Sequence, residues 1–386
     1  MKIGSLLTGC LPVVLLLACG GETKTSPQNA ANTNSSSSGS GEVASNGGGD
    51  GQADANAQKA DTPANGTSNA AAPKADAPQD PKPKKRIRRP RINTALVKPL
   101  FGNDPSSPKA EVEATPDLVA LGNALYHARG LSANSEQSCA SCHDLANYGV
   151  DNQKTSSGEK GDRNAPTTYN AFRHFRQFWD GRSESVEAQV VDPIAHGFAD
   201  TAAAITKIKE QDRLVGLFQK AFPGQDDPIT AGNLGAAIGA FERTLVTKSK
   251  WDAYLDGNQK AMSNEELLGL KTFMDVGCTQ CHMTRLLGGH TYQKLGVLKP
   301  YSGKDTGRMQ VTGQESDKYM FKVPSLLNVA KTAPYYHDGS IATLEDAVKD
   351  MADNQLNKKL KPEQVEALVA FLNALTGDLP KEFAKK

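Results

Sequence analysis

Cys139-Ala140-Ser141-Cys142-His143 and Cys278-Thr279-Gln280-Cys281-His282 repeat one pattern, Cys-x-x-Cys-His, and that pattern dictates what any fold of this chain must hold. In each copy the two thiols lie on one helical turn, where they can bond the two vinyl groups of a single porphyrin. The histidine that follows is then held where a ring nitrogen reaches the iron. Zinc sites also use paired cysteines, but a zinc ribbon separates its pairs by roughly 15–20 residues. The interval from Cys142 to Cys278 is far longer, and both pairs carry the trailing histidine. Two covalently bound c-type haems are therefore the expected cofactors, in place of structural zinc.

The first residues read as a targeting segment. Lys2 is the charged flank, Leu11 to Leu17 the apolar stretch, and Leu16-Leu17-Ala18-Cys19 matches a bacterial lipoprotein cleavage box. The stretch is too short to span a bilayer. Residues 1–18 are thus expected to be removed as a signal peptide, with Cys19 acylated. Several acyl chains would anchor the chain stably where one would not. A plain secretory signal is the alternative. Either way the protein is expected in the periplasm or cell envelope, which agrees with haem attachment outside the bacterial cytoplasm. Gly20 stands where an aspartate is often linked to inner-membrane retention, which points to the outer membrane. No cysteine remains for a disulfide once four are assigned to haem, Cys19 to lipid and Cys10 to the signal.

Residues 19–92 read as a disordered tether. From Gly20 to about Pro81 the chain is Ala, Asn, Ser, Gly, Asp and Pro with almost no aliphatic residues, too little apolar surface to offset ordering entropy. About 70 such residues span roughly 45 Å. The tether ends in a basic run from Lys82 to Arg91, read as a solvated linker or a contact with anionic lipid or wall polymer. Nucleic acid is not an expected partner of an exported lipoprotein. The first 92 residues hold 11 basic and 7 acidic side chains, which leaves the body mildly acidic against a chain total of +1. That balance suits a basic donor protein but decides little.

The remainder is long enough for two domains, expected at 93–250 and 251–386 and joined near Lys248 to Asn258. The segments before the two motifs look alike. Thr115-Pro116-Asp117 reads as an N-cap with Pro at the first helical position, followed by Leu118, Leu121 and Leu125. Ser263 and Glu266 make a capping box, followed by Leu267, Leu270 and Met274. Further helices are expected over Thr201 to Phe222, broken near Gln211, over Ala231 to Val246, and from Pro362 to before Gly377. Strand patterns are scarce, so the fold class is mostly α, with two cytochrome-c-like domains each carrying one haem. His143 and His282 each fill one axial position. For the opposite face, spacing leaves Met309, Met320 and Met351, with Met351 preferred.

Several further stretches together resemble the bacterial diheme cytochrome c peroxidase family. They are Gly161-Asp162-Arg163-Asn164-Ala165-Pro166-Thr167, Gln177-Phe178-Trp179-Asp180-Gly181-Arg182, Ala240-Phe241-Glu242-Arg243-Thr244-Leu245, Val323-Pro324-Ser325-Leu326-Leu327-Asn328-Val329 and Thr332-Ala333-Pro334-Tyr335-Tyr336-His337-Asp338-Gly339. The resemblance runs from about Leu121 to Met351. It implies that the His143 haem is peroxidatic and that the His282 haem, with Met351 as ligand, accepts electrons at higher potential. It places Trp179 between the haems and His337 close to the second. It also implies an inter-domain Ca²⁺ site at Asn164, Thr332 and Pro334. The implied partners are hydrogen peroxide and a small cytochrome c or cupredoxin as electron donor. Family members often form dimers, which makes a homodimer an expectation.

Two positions depart from the family. A loop histidine that caps the peroxidatic iron is matched here by Glu159. A distal glutamate that moves protons during O–O cleavage is matched by Ala199, with Asp200 and His196 nearby but out of register. These losses leave room for a MauG-like oxidation of a partner protein, or for an electron carrier or redox sensor without catalysis. The methionine at position 351 favours the peroxidase, because MauG uses a tyrosine there.

Overall fold

Two helix crossings, each made at a glycine, organise the folded chain. The computed structural model describes residues 87–156, 163–193 and 201–384, all within one unit, Pro81–Lys386. The helices are α1 (Thr94–Phe101), α2 (Pro116–Tyr126), α3 (Cys139–Cys142), α4 (Val186–Pro193), α5 (Thr201–Lys209) and α6 (Asp212–Ala221). They continue with α7 (Ala231–Glu242), α8 (Lys250–Leu255), α9 (Asn264–Val276), α10 (Met309–Thr312), α11 (Leu344–Leu356) and α12 (Pro362–Ala374). Strands are short: β1 (Lys248–Ser249) pairs antiparallel with β4 (Gly377–Asp378), and β2 (Tyr292–Lys294) with β3 (Met320–Lys322). The described residues are mostly helical, as the sequence leads one to expect.

Local chemistry explains the helix ends. The Leu118 amide donates to Thr115 Oγ1 at 3.2 Å ahead of α2. Before α9, the Glu266 amide donates to Ser263 Oγ at 3.2 Å while the Ser263 amide donates to Glu266 Oε2 at 2.6 Å, a reciprocal cap. Extended backbone at Gln211 breaks the 201–222 segment into α5 and α6. Helix α7 stops at Glu242, short of the expected Val246: the Thr244 and Leu245 amides turn to the Phe241 and Glu242 carbonyls at 2.9 and 3.0 Å, and the Leu245 carbonyl accepts the Asn170 amide at 2.8 Å. Helices α1, α4, α8, α10 and α11 are additions to the sequence reading. In particular, α8 occupies the expected junction, and its Trp251 is fully buried.

The two halves repeat one arrangement. Helix α2 crosses α7 and α9 crosses α12. A Cβ on Gly122 would lie 1.9 Å from the Ala237 carbonyl oxygen, and one on Gly269 would lie 2.0 Å from that of Ala367. Phe241 and Phe371 flank the respective contacts. After each motif comes an asparagine with left-handed backbone, Asn170 (φ 61°) and Asn328 (φ 62°). The Asn170 amide donates to Leu245 O, and the Asn328 amide to Leu375 O at 3.1 Å. Both asparagine side chains donate to one buried hydroxyl, Thr247 Oγ1, at 2.9 Å each, so the repeats meet at a satisfied polar knot.

Two apolar cores result, one around Leu121, Phe218 and Phe241, the other around Trp251, Leu270 and Phe371. Packing crosses the expected 93–250 and 251–386 boundaries at both ends. Val97 and Phe101 of α1 join the second core, where Phe101 meets Trp251 edge-on at 5.2 Å. Leu379 and Phe383 pack against the first.

Glu242 is buried at the end of α7. Burial first, then the nearby Glu187 carboxylate, push its carboxyl up to about 8, with Arg243 opposing. A raised folded value means the native state holds this proton more tightly than the unfolded chain. The associated stability is full below the ordinary carboxylate range and is lost as pH climbs to about 8. Glu242→Gln is expected to flatten that decline. Denaturant melts at acidic and mildly alkaline pH check it, and an unchanged slope in the variant contradicts it.

Candidate functional site

The first motif forms α3 itself. The Ser138 amide donates to Ser141 Oγ at 3.0 Å, closing the turn that sets Cys139 and Cys142 on adjacent positions. The His143 amide donates to the Cys139 carbonyl at 2.9 Å, and buried Tyr126 donates its hydroxyl to His143 O at 2.7 Å. In the second motif Gly277 ends α9 with left-handed backbone (φ 101°) and opens the tight turn Cys278–Gln280. The His282 amide donates to Cys278 O at 2.9 Å. The same histidine geometry thus arises from two different local turns.

Each histidine is prepared for a metal. His143 Nδ1 faces Gly149 O at 3.3 Å and His282 Nδ1 faces Leu287 O at 2.9 Å. A carbonyl only accepts, so Nδ1 carries the proton and Nε2 keeps its lone pair for iron. Burial lowers both imidazoles from their ordinary value, His282 to about 4, which keeps them neutral. Burial also pushes the Cys139 and Cys278 thiols up to about 12. All four motif cysteines are free of disulfides. Among the described residues no three His, Cys, Asp or Glu side chains converge to hold a metal ion.

A largely apolar cavity of about 260 Å³ has Cys278, Cys281 and His282 on its wall. Met351, on α11, borders the same cavity, whereas Met309 and Met320 do not. A thiol pair, a neutral imidazole and a thioether facing one apolar space are the donor set a c-type haem requires, and the residues fit the group. Trp179, Asn164, Thr332, Pro334 and His337 also border this cavity, so it reaches to the first half of the chain. Cys19, Glu159, His196, Ala199 and Asp200 lie outside the described residues.

The seam beside the cavity is polar and tightly held. Trp179 Nε1 donates to Asn164 O at 2.9 Å, and the Asn164 amide donates to His337 O at 2.7 Å. Asn164 Nδ2 donates to Gln153 O at 2.8 Å. No described residue donates to Asn164 Oδ1 or to the Thr332 and Pro334 carbonyls. His337 is buried, stacks on Phe321 at 4.2 Å, and pairs its Nε2 with the Tyr301 hydroxyl at 3.1 Å. Arg163 clamps Asp305 through two bonds of 2.7 and 2.8 Å and Asp180 through one of 2.6 Å. The sequence reading missed this clamp. Arg163 stood in a quoted stretch, but nothing local points to a partner 142 residues away.

Comparison with known proteins follows this geometry. The family described as Di-haem cytochrome c peroxidase matches residues 116–260. A cytochrome c551 peroxidase of Nitrosomonas europaea is 42% identical over 297 residues, covering 73% of this chain and 86% of the relative. One from Pseudomonas aeruginosa is 40% identical over 275 residues, covering 68% and 79%. A solved MauG-like protein associated with microbial copper homeostasis superimposes with a TM-score of 0.65 at 24% identity, over 73% of this chain and 96% of that one; that likeness speaks to the fold. The chain belongs to the di-haem cytochrome c peroxidase family. It is an oxidoreductase with haem c as its cofactor, as the paired motifs lead one to expect.

Proposed function

We propose that this chain reduces hydrogen peroxide to water at the His143 haem, using electrons that enter through the His282 haem from a small cytochrome c or cupredoxin. The observation that carries this reading is one cavity bordered by Cys278, Cys281, His282, Met351 and Trp179, in a chain about 40% identical to cytochrome c551 peroxidases. When bound, the haems supply the redox chemistry: each peroxide takes two electrons and two protons and yields two waters. The protein supplies the rest. His143 and His282 present neutral Nε2 atoms, Met351 offers a soft thioether that favours the reduced metal, and Trp179 stands at the edge of the cavity toward the first half. A methionine at this place supports the peroxidase over oxidation of a partner protein. Steady-state oxidation of a reduced small cytochrome by H₂O₂ tests the proposal; no turnover with any reduced carrier, despite two haems per chain, overturns it.

Asn164 Oδ1 and the carbonyls of Thr332 and Pro334 are the oxygens that would hold Ca²⁺. They are hard, uncharged donors at the seam between the halves, free of described hydrogen-bond donors, and water would complete the shell. Such an ion would fix the loop bearing Asn164 to the one bearing His337. The lipoprotein box at Cys19 supports attachment to a bacterial membrane through a tether shorter than the expected 19–92, since its last residues are docked: Ile92 packs against the second core, Asn264 Nδ2 donates to Ile87 O at 2.9 Å and Arg89 donates to Gln259 O at 2.6 Å. Among the described residues no helix is long and apolar enough to cross a membrane.

Glu159 stands where family members carry a histidine that caps the peroxidatic iron. A loop carboxylate is a poor partner for that position, so the site is open without prior reduction. The oxidised protein is expected to give a high-spin signal from the His143 haem by electron paramagnetic resonance. A low-spin bis-histidine signal from that haem contradicts this.

A further inference from the structure

Lys322 is buried beside the cavity, 5% exposed, at the end of β3. Its Nζ lies 3.3 Å from His174 Nδ1. No carboxylate among the described residues forms an ion pair with it. Burial alone lowers its ammonium to about 8, with no nearby charge opposing. A buried cation without a counter-charge is costly, of the order of several kcal/mol.

The neighbouring histidine sharpens the requirement. An ammonium has only donors, so the contact runs from Lys322 to His174 Nδ1, and the imidazole proton must sit on Nε2. That Nε2–H is buried and has no described partner. His174 borders the same cavity as Lys322. Its ring lies close against Gly289, where a Cβ would come within 2.7 Å of its Cδ2. The Phe175 amide donates to Gly289 O at 2.9 Å, which fixes the adjoining backbone. Beside an apolar cavity, Lys322 is thus left with one neutral acceptor and no counter-charge, and His174 Nε2–H with no described acceptor. An unmet buried donor costs about 1–3 kcal/mol.

We propose that Lys322 and His174 together bind the propionates of the porphyrin carried by Cys278 and Cys281. Propionates are the anionic groups a porphyrin brings, and it carries two: one carboxylate accepts from the Lys322 ammonium, the other from His174 Nε2–H on the opposite edge of the imidazole. The pair is a positioning device that acts on the second haem's potential, because a cation beside a propionate favours the added electron. This inference rests on the di-haem reading above. It adds a residue pair contributed by both halves, His174 from the first and Lys322 from the second, so the electron-accepting site is complete only when the halves are docked.

The test is spectroelectrochemistry and resonance Raman on the holoprotein, after the haem content per chain has been counted by its pyridine complex. Lys322→Met is expected to lower the second haem's reduction equilibrium at least tenfold, about 59 mV for one electron, with the first haem unchanged. Lys322→Arg is expected to retain the wild-type potential. His174→Gln provides the independent arm: it keeps the charge but loses the imidazole donor, and is expected to shift the propionate bending band with a smaller change in potential. If Lys322→Met does not assemble, the Arg and Gln variants decide the matter by the same two readouts. Potentials and propionate bands that match wild type in every assembled variant overturn the anchor while leaving the peroxidase reading intact. A wild-type count other than two haems per chain overturns both.

Discussion

Replacing Gly269 by alanine is expected to lower stability by about 1–3 kcal/mol or more. The reason is geometric. The new Cβ would lie 2.0 Å from the Ala367 carbonyl oxygen, 2.6 Å from Phe371 Cβ and 2.9 Å from the Ala367 carbonyl carbon. Two of these are backbone atoms of α12, so no side-chain rotation relieves the clash. Helices α9 and α12 must separate, and their contact is what holds Leu270, Phe273 and Phe371 together in the second core. In any ordinary exposed helix the same change would stabilise, by up to about 1 kcal/mol, so the sign itself is diagnostic. Gly122→Ala is expected to behave alike in the first core, where Ala237 O is 1.9 Å away. The two losses should add, because the sites lie in separate cores. Denaturant unfolding of the single and double variants measures this; stability at or above wild type contradicts the crossing.

Ala199→Glu is expected to raise peroxide turnover by about 10²-fold or more, within the 10²–10⁴ range of general acid–base help. Cleaving an O–O bond needs a proton delivered to the departing oxygen and one taken from the other. By the resemblance read from the sequence, Ala199 is expected to stand at the place of a distal glutamate, and alanine can do neither. Restoring the carboxylate should act on kcat with little change in KM for the electron donor, if electrons enter through the His282 haem as proposed. The matched control is Ala199→Gln, which has the size without the proton. Equal rates for alanine, glutamine and glutamate would remove the role assigned to the position.

Much of the architecture could be read from local chemistry. The caps at Thr115 and Ser263 are written in adjacent residues, and both helices begin there. The break at Gln211 and the start at Pro362 are likewise local. What failed was decided by distant partners. Helix α7 ends before Val246, and the Leu245 carbonyl beyond its end serves the Asn170 amide, which no window around residue 245 reveals. Helix α11 is the exception, legible locally yet absent from the sequence reading: Thr343 caps it, Leu344, Ala347, Val348 and Met351 recur at helical spacing, and it brings Met351 to the cavity. The region expected to join two domains instead buries Trp251 in the second core. For the site, Cys-x-x-Cys-His is self-contained and needs no tertiary information. By contrast, the Arg163 clamp on Asp305 and the His174–Lys322 pair join residues more than a hundred positions apart. The composition of either segment alone suggests a solvated charge.

The central claim is that one haem stores an electron behind a methionine while the other stays open to peroxide. A redox titration of the purified holoprotein, followed by addition of H₂O₂ at the half-reduced point, addresses it most directly. Two haem c transitions at separate potentials are predicted, with peroxide promptly consuming the stored electron. Two six-coordinate irons inert to H₂O₂ at every stage of reduction would contradict it.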